Sequence, residues 1–482
     1  MSIQTPTWVK HAIFYQIFPD RFAQSSRVHK PANLEPWDSK PTHHGFKGGD
    51  LLGVVEKLDY LQDLGVNALY LCPIFQSTAN HRYHTQDYFR VDPILGGDEA
   101  LQALLKAAHK RHMKVILDGV FNHASRGFYQ FSHALENGAD SPYKDWFYFH
   151  GFPVHAYHGK ANYECWWGIP ALPKFNTDVP AVREFLLSVG EYWLKQGIDG
   201  WRLDVPAEIA DDSFWQAFRS RVKNINPEAY IVGEIWHEAQ RWLQGDQFDA
   251  VMNYLFTKAC LGFFADGKID PQVGAGVGYA PIPELDASGF AYALNITLGL
   301  YDRAINEVQM NLLSSHDTAR FLSIAKHDLS TFKLSTLALM TYPGAPSVYY
   351  GDEIGMEGGR DPDNRRSFDW NESTWNHTLR DYVKRCIALR KKYVALRTGD
   401  FRVLFAEGKA VAYYRNSGDE KLIVALNSAS QAAHINIVTK EVLPDGATLK
   451  VVFGGKGVHH TANGSLTQLE IPKREGIVLK VM

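Results

Sequence analysis

The sequence predicts an α/β protein: a (β/α)8 TIM barrel with a small domain inserted after the third strand and a C-terminal antiparallel β-sandwich. Three observations predict it. Up to about residue 395, buried-strand runs alternate with amphipathic helices, the pattern of a parallel sheet with crossover helices. The alternation fails over 124–177, a stretch rich in Phe, Tyr, Trp, Gly and His and too long for an ordinary loop. After residue 396 the helical period stops and short alternating strands take over. The domains follow: barrel 1–123 and 178–395, inserted domain 124–177, C-terminal domain 396–482.

The elements run in order. IFYQIFP is a short apolar run and the first strand. LLGVVEKLDYLQDLG carries apolar residues at 51, 55, 58, 61 and 64, one helical stripe that ends at Gly65. NALYLCP is the second strand, EALQALLKAAHKRH a helix, and KVILDGV the third strand, ending near His123. AVREFLLSVGEYWLKQG and DSFWQAFRSRVKNI are helices that flank IDGWRLDV, the fourth strand, and AYIVGEI is the fifth. DAVMNY, QMNLLSS and PSVYYGDE complete the set. About eight such units favour a closed barrel over an open sheet. A doubly wound sheet would want a Gly-rich phosphate loop after its first strand, and none follows IFYQIFP. FRVLF, AVAYYR, KLIVALN, TLKVVF and GIVLKVM are the strands of the sandwich.

Composition narrows the function. The net charge of -3, with acids and bases intermixed, excludes the basic stripe of a nucleic-acid binder and gives no footing on an anionic membrane. Cys72, Cys165, Cys260 and Cys386 lie far apart in no CxxC or Cys/His cluster, which argues against a metal or redox site and for a reducing compartment. With no leader-like N-terminus and no uncharged apolar run of about 20 residues, a cytoplasmic enzyme fits best. The 12 Trp and 23 Tyr serve mostly burial, and some are candidates for stacking on sugar rings.

Barrel enzymes place their chemistry at the C-terminal ends of the strands. Here those ends read DGVFNH, GWRLD, GEIWHE and SSHD, from four different strands. Singly, each has an ordinary explanation: an Asp caps the next helix, an Arg-Asp pair is a structural ion pair, a His is a satisfied core residue. Together Asp204, Glu234 and Asp317, with His123, Arg202 and His316, supply what glycoside cleavage requires. One carboxylate attacks the anomeric carbon, one acid protonates the leaving oxygen, and further groups hold the sugar as an oxocarbenium-like state forms. Arg202 shares a strand face with Asp204 and is expected to keep it ionised.

These blocks, in this order, resemble those of glycoside hydrolase family 13, the α-amylase family. The resemblance implies Asp204 as nucleophile, Glu234 as acid/base and Asp317 as the third carboxylate, with Arg202, His123 and His316 in support. It implies Tyr83 as the stacking aromatic, His81 near it, Trp236 as a platform on the leaving-group side, and Asp363 and Arg366 in DPDNRR as further substrate contacts. LPKFN is similar to the MPKLN block of the oligo-1,6-glucosidase and neopullulanase groups, while HHGFKGGDL, MNYLF, GEIWHEA and GDEIGMEGGRDPDNRR resemble blocks of cyclomaltodextrinases, neopullulanases and maltogenic amylases, implying hydrolysis of α-1,4 and α-1,6 links in small, branched or cyclic α-glucans.

Two departures stand out. The sequence starts at the barrel, without the N-terminal β-domain of that group, so a homodimer would not form through such a domain. Glu208, a further substrate-contact candidate, stands where many α-amylases place a calcium-binding His. No cofactor is required, no catalytic metal is expected, and a structural calcium is disfavoured. A glucanotransferase would share every catalytic residue and differ only in what resolves the covalent intermediate. A non-catalytic carbohydrate-binding barrel would have lost carboxylates that this sequence keeps.

Overall fold

The computed structural model describes residues 3–482. Eight parallel strands close a barrel: β1 (Phe14–Ile17), β2 (Ala68–Leu71), β3 (Lys114–Gly119), β4 (Gly200–Leu203), β5 (Tyr230–Gly233), β6 (Ala250–Asn253), β7 (Met310–Leu312) and β8 (Ala345–Tyr349). Each pairs with its sequence neighbour, and β1 pairs with β8 to close the ring. Every residue of these strands is buried except Lys114, because side chains fill the barrel inside and helices cover it outside.

The longer helices of the outer ring and its inserts are α1 (Leu51–Glu56), α2 (Leu58–Leu64), α3 (Gly97–Lys110), α4 (Tyr129–Asn137), α5 (Pro180–Lys195), α6 (Asp212–Ile225), α7 (Tyr254–Phe264), α8 (Ala287–Gly299), α9 (Leu329–Thr341) and α10 (His377–Lys392). The local chemistry of their ends is clear. Asp50, Asp211, Asn253, Asp286, Asp328 and Asn376 each accept a backbone N–H at a helix start. Gly65 closes α2 at φ 100°, a conformation that costs any side chain but hydrogen.

The single helix read over 51–65 is two. Lys57, at φ -107° and ψ 6°, interrupts it, while Leu51, Leu58, Leu61 and Leu64 stay fully buried on either side. The third strand ends at Gly119 rather than near His123, so the residues after it are free to turn into the inserted domain. That insert holds α4 and isolated antiparallel bridges, among them His123 with Lys174 and Phe147 with Phe175. Its core is aromatic, with Phe128, Phe131, Phe147, Tyr163 and Phe175 buried together.

The C-terminal domain comprises β9 (Asp400–Glu407), β10 (Ala410–Ser417), β11 (Glu420–Asn427), β12 (Ala433–Val438), β13 (Thr448–Phe453), β14 (Val458–His460), β15 (Ser465–Ile471) and β16 (Gly476–Val481). An antiparallel sheet ordered β9-β10-β11-β16-β13-β14 faces the β12-β15 pair. The strands β12, β14 and β15 were not read from the sequence. Among the described residues no helix is long and apolar enough to cross a membrane.

Candidate active site

Strand geometry delivers the functional side chains. The barrel ladder continues one residue past the strands: Asp204 N–H donates to Gly119 O at 3.0 Å and Glu234 N–H to Leu203 O at 3.0 Å. Both carboxylates therefore leave the rim from fixed backbone. Asp118 on β3 and Arg202 on β4 are register partners and point the same way, because parallel strands in register align their faces.

Arg202 is the centre of the site. Its fully buried guanidinium lies 3.0 Å from Asp118, 3.1 Å from Asp204, 2.9 Å from Glu234 and 3.7 Å from Asp317. A buried cation of this kind is stable only among compensating anions, and here four carboxylates from four strand ends share it. Glu234 also accepts from Trp236 Nε1 and from Val205 N–H, both at 3.0 Å. Val205 adopts φ 36° and ψ 50°, a left-handed conformation that costs a β-branched residue heavily. The strain aims the amide following Asp204 at Glu234, so it links the two carboxylates.

Burial governs the titration of the site. Desolvation, then the charge of Glu234, push the Asp204 carboxyl well above its ordinary value. Arg202 pulls the other way, toward the carboxylate form, as its place on the same strand face predicts. Desolvation and Glu234 likewise push Asp317 up to about 7, against the opposing pull of Arg202 and Arg365.

Desolvation holds His316 and His81 well below the usual imidazole range and lowers His123 to about 3, so all three are neutral at pH 7. Gln16 Nε2 donates to His316 Nδ1 at 2.7 Å, which assigns the ring proton to Nε2, 3.1 Å from Asp317. The ring of Tyr83 stacks on His316, with centroids 5.5 Å apart and planes within 4°. Its hydroxyl contacts His316 Nε2 and donates to Asp118 at 2.9 Å. His81 accepts from Tyr83 N–H at 3.1 Å. Among the described residues His123 Nε2 is buried without a protein partner, a group free to meet a sugar hydroxyl.

The remaining candidates sit further out. Trp236 stacks on Tyr254 at 3.7 Å beside Glu234. Glu208 is 41% exposed and faces Lys174 Nζ at 3.7 Å. Asp363 and Arg366 pair with each other through two 2.8 Å bonds, and their neighbour Arg365 reaches Asp317 at 3.4 Å instead. The sequence reading did not single out Asp118, Gln16, Tyr70 or Arg365. For Gln16 a signal existed, a polar residue in the middle of a buried strand. Tyr70, whose hydroxyl donates to Asp118 at 2.7 Å, looked like any other strand aromatic.

A closed barrel with carboxylates and neutral imidazoles converging at its C-terminal rim defines a class, the barrel hydrolases that work by carboxylate chemistry. The comparisons are more specific. The model of the α-amylase catalytic domain matches residues 16–393, and that of the α-amylase C-terminal domain matches 399–479. The chain belongs to the α-amylase family and is a glycoside hydrolase acting on α-glucans. It is 45% identical to a cyclomaltodextrinase of a Bacillus species, over 89% of this chain and 75% of that protein. It is 42% identical to neopullulanase 2 of Thermoactinomyces vulgaris, over 98% of this chain and 78% of that one. The debranching enzyme of Nostoc punctiforme superposes with a TM-score of 0.90 at 50% identity, covering 99% of this chain and all of that one.

Proposed function

We propose that this chain is a retaining hydrolase of α-1,4 and α-1,6 glucosidic bonds in maltooligosaccharides, branched or pullulan-like glucans and cyclodextrins. The observation that carries the reading is the single buried guanidinium of Arg202 shared by Asp118, Asp204, Glu234 and Asp317. An Asp204 oxygen attacks the anomeric carbon. The bond to the leaving oxygen breaks with its electron pair, and that oxygen takes the proton of Glu234. The Glu234 carboxylate then takes a proton from water, whose oxygen displaces Asp204 from the same carbon. Asp317, His316 and His123 bind hydroxyls of the sugar being cleaved, and Tyr83 stacks on its ring.

The names of the relatives support the substrate range, which includes a cyclic glucan, a pullulan and a branch point. The four unpaired cysteines support a place in the cytoplasm. Asp204→Asn and Glu234→Gln each keep shape but remove the nucleophile or the dissociable proton. Each should cost about four or more orders of magnitude in kcat with an unchanged circular dichroism spectrum. An NMR time course should show the α-anomer released first. A few per cent of parental activity in either variant, or β-anomer first, defeats the assignment.

An aromatic ladder suits longer chains. Trp166 stacks on His123 with centroids 5.5 Å apart, and Trp167 stacks on Trp166 at 4.5 Å with planes within 10°. Trp167 is 80% exposed and held at φ 50°. An exposed indole in a strained backbone at the end of a stack that begins beside the catalytic centre is a platform for a sugar ring. Trp167→Ala should lower kcat/KM for maltoheptaose by about tenfold and leave maltotriose nearly unchanged. Equal losses on both substrates would remove Trp167 from substrate binding.

A further inference from the structure

Outside the barrel, where none of the catalytic carboxylates reaches, the first turns of α9 and the later turns of α10 meet the C-terminal sheet. Between them lies a cavity of ≈ 830 Å³. Its walls carry Lys333, Arg385, Lys392, Lys473 and Arg474 against one carboxylate, that of Glu475. The concentration is notable in a chain whose net charge is -3.

Only one of these cations is committed. Arg474 bonds Asp328 at 2.8 Å, Ser330 Oγ at 2.8 Å and Ser428 O at 2.7 Å, which pins the strand-leading segment to α9. Among the described residues the other four make no ion pair. Three lie over aromatic rings instead: Lys333 is 5.7 Å from the Tyr382 centroid, Arg385 is 5.7 Å from Tyr382 and 5.5 Å from Phe453, and Lys392 is 5.3 Å from Tyr393. Such contacts are weak substitutes for the charge-assisted hydrogen bonds that guanidinium and ammonium groups make with phosphate.

Arg385, Lys392 and Lys473 are exposed and Lys333 is half-buried, so all four ammonium and guanidinium groups are open to an anion entering from solvent. The backbone of this wall is closely packed. Gly454 takes φ 78°, and a Cβ there would stand 2.0 Å from the carbonyl oxygen of Gly476. Gly454 and Gly455 thus line the cavity without a side chain over it.

We propose that this cavity binds a phosphate-bearing small molecule, a sugar phosphate or a nucleotide. Arg385, Lys333, Lys392 and Lys473 hold the phosphate, and Tyr382 and Phe453 take the sugar or base. The occupant bridges two barrel helices and the C-terminal sheet.

Calorimetric titration of the full chain with glucose 6-phosphate, ATP and inorganic phosphate, at constant ionic strength, tests this. Maltose serves as the uncharged control. Saturable binding of glucose 6-phosphate or ATP at one per chain is expected, with inorganic phosphate competing. The double variant Lys333→Ala/Arg385→Ala should weaken it at least tenfold with an unchanged circular dichroism spectrum, while Lys106→Ala on α3 leaves it intact. Tighter binding of ATP than of glucose 6-phosphate would assign a base to the aromatic wall; the reverse would assign a hexose. The proposal is overturned by any of three results: no saturable heat with any phosphate up to about 10 mM, phosphate binding unaltered in the double variant, or maltose binding that the double variant abolishes. None of these readouts involves glucan cleavage, so they stand apart from the substrate range proposed above.

Discussion

At the residue scale, two adjacent arginines divide the work of one loop. Arg366 neutralises Asp363 three positions away, whereas Arg365 donates to His316 O at 2.8 Å and approaches Asp317. Arg365 therefore belongs to the electrostatics of the site. Its charge lowers the Asp317 carboxyl, which burial and Glu234 have raised to about 7. A carboxyl with a raised pKa stays protonated to higher pH, so activity that needs the carboxylate form is lost as pH falls through the raised value. Removing Arg365 removes a lowering influence and should raise that value further. Arg365→Met should move the acid limb of the kcat/KM profile upward by about half a pH unit or more. Arg365→Lys should restore most of the parental profile. An acid limb that stays in place or moves down in Arg365→Met would show that Arg365 does not tune the site. The sequence made the three carboxylates and Arg202 legible because each sits at the end of a recognisable strand. It could not tell which of two neighbouring arginines in a loop points inward, because that depends on the turn at Asp363–Arg365 rather than on any periodicity.

At the element scale, α9 ends against two arginines that, among the described residues, have no carboxylate partner. Arg390 donates to Met340 O, Tyr342 O and Leu396 O at 3.2, 3.1 and 2.8 Å. Arg415, from β10, reaches Thr341 O, Leu396 O at 3.1 Å and Gly399 O at 2.9 Å. The last carbonyls of a helix lack intrahelical donors and carry the negative end of its dipole, so cations satisfy them. The cost appears in the cations: burial lowers Arg415 to about 10, and burial with the nearby Arg415 charge holds Arg390 well below its usual value. Removing one arginine strands several buried carbonyls. Arg415→Met should therefore lower the unfolding free energy in urea by about 3 kcal/mol. A change below about 0.5 kcal/mol, the range of an ordinary surface substitution, would mean that water replaces the guanidinium at no loss. Elements were legible to differing degrees for similar local reasons. The apolar stripe over 51–65 is continuous across the break at Lys57, so periodicity could not reveal it. In β15 the apolar residues Leu466, Leu469 and Ile471 are spaced three and then two apart, because Gln468 sits at φ 53° where the pairing with β12 shifts register. That irregularity hides the alternation by which a strand is read.

At the scale of the whole molecule, one hydrophobic core runs from the barrel through the inserted domain and into the C-terminal sheet. It contains Leu337 and Tyr342 of the barrel together with Val411, Tyr413, Val424 and Val478 of the sheet. A second, smaller core, with Ile423, Ile435, Leu469 and Leu479, lies between the sheet and the β12-β15 pair. Polar links cross the same boundary: Thr341 Oγ1 and the Tyr413 hydroxyl lie 2.5 Å apart, and Arg474 reaches Asp328 at 2.8 Å. A sheet that buries one face in the core of its neighbour loses that face's stabilisation when the neighbour unfolds. What remains, the smaller core, is marginal for a unit of about 80 residues. Barrel and C-terminal domain should therefore unfold together. The sequence supplies a separable probe, since all twelve tryptophans lie at or before Trp375 and none lies in the C-terminal domain. Tryptophan fluorescence in urea consequently follows the barrel and the insert alone. Hydrogen exchange read by mass spectrometry follows β11, whose residues Leu422–Asn427 are buried at the centre of the sheet. The two transitions should share one midpoint, as two-state unfolding requires. If β11 keeps its protection beyond the fluorescence midpoint, the smaller core suffices to hold the C-terminal domain on its own; if β11 loses protection first, the shared core contributes less to that domain than its burial implies. Either separation would divide into two a folding unit that the packing makes one.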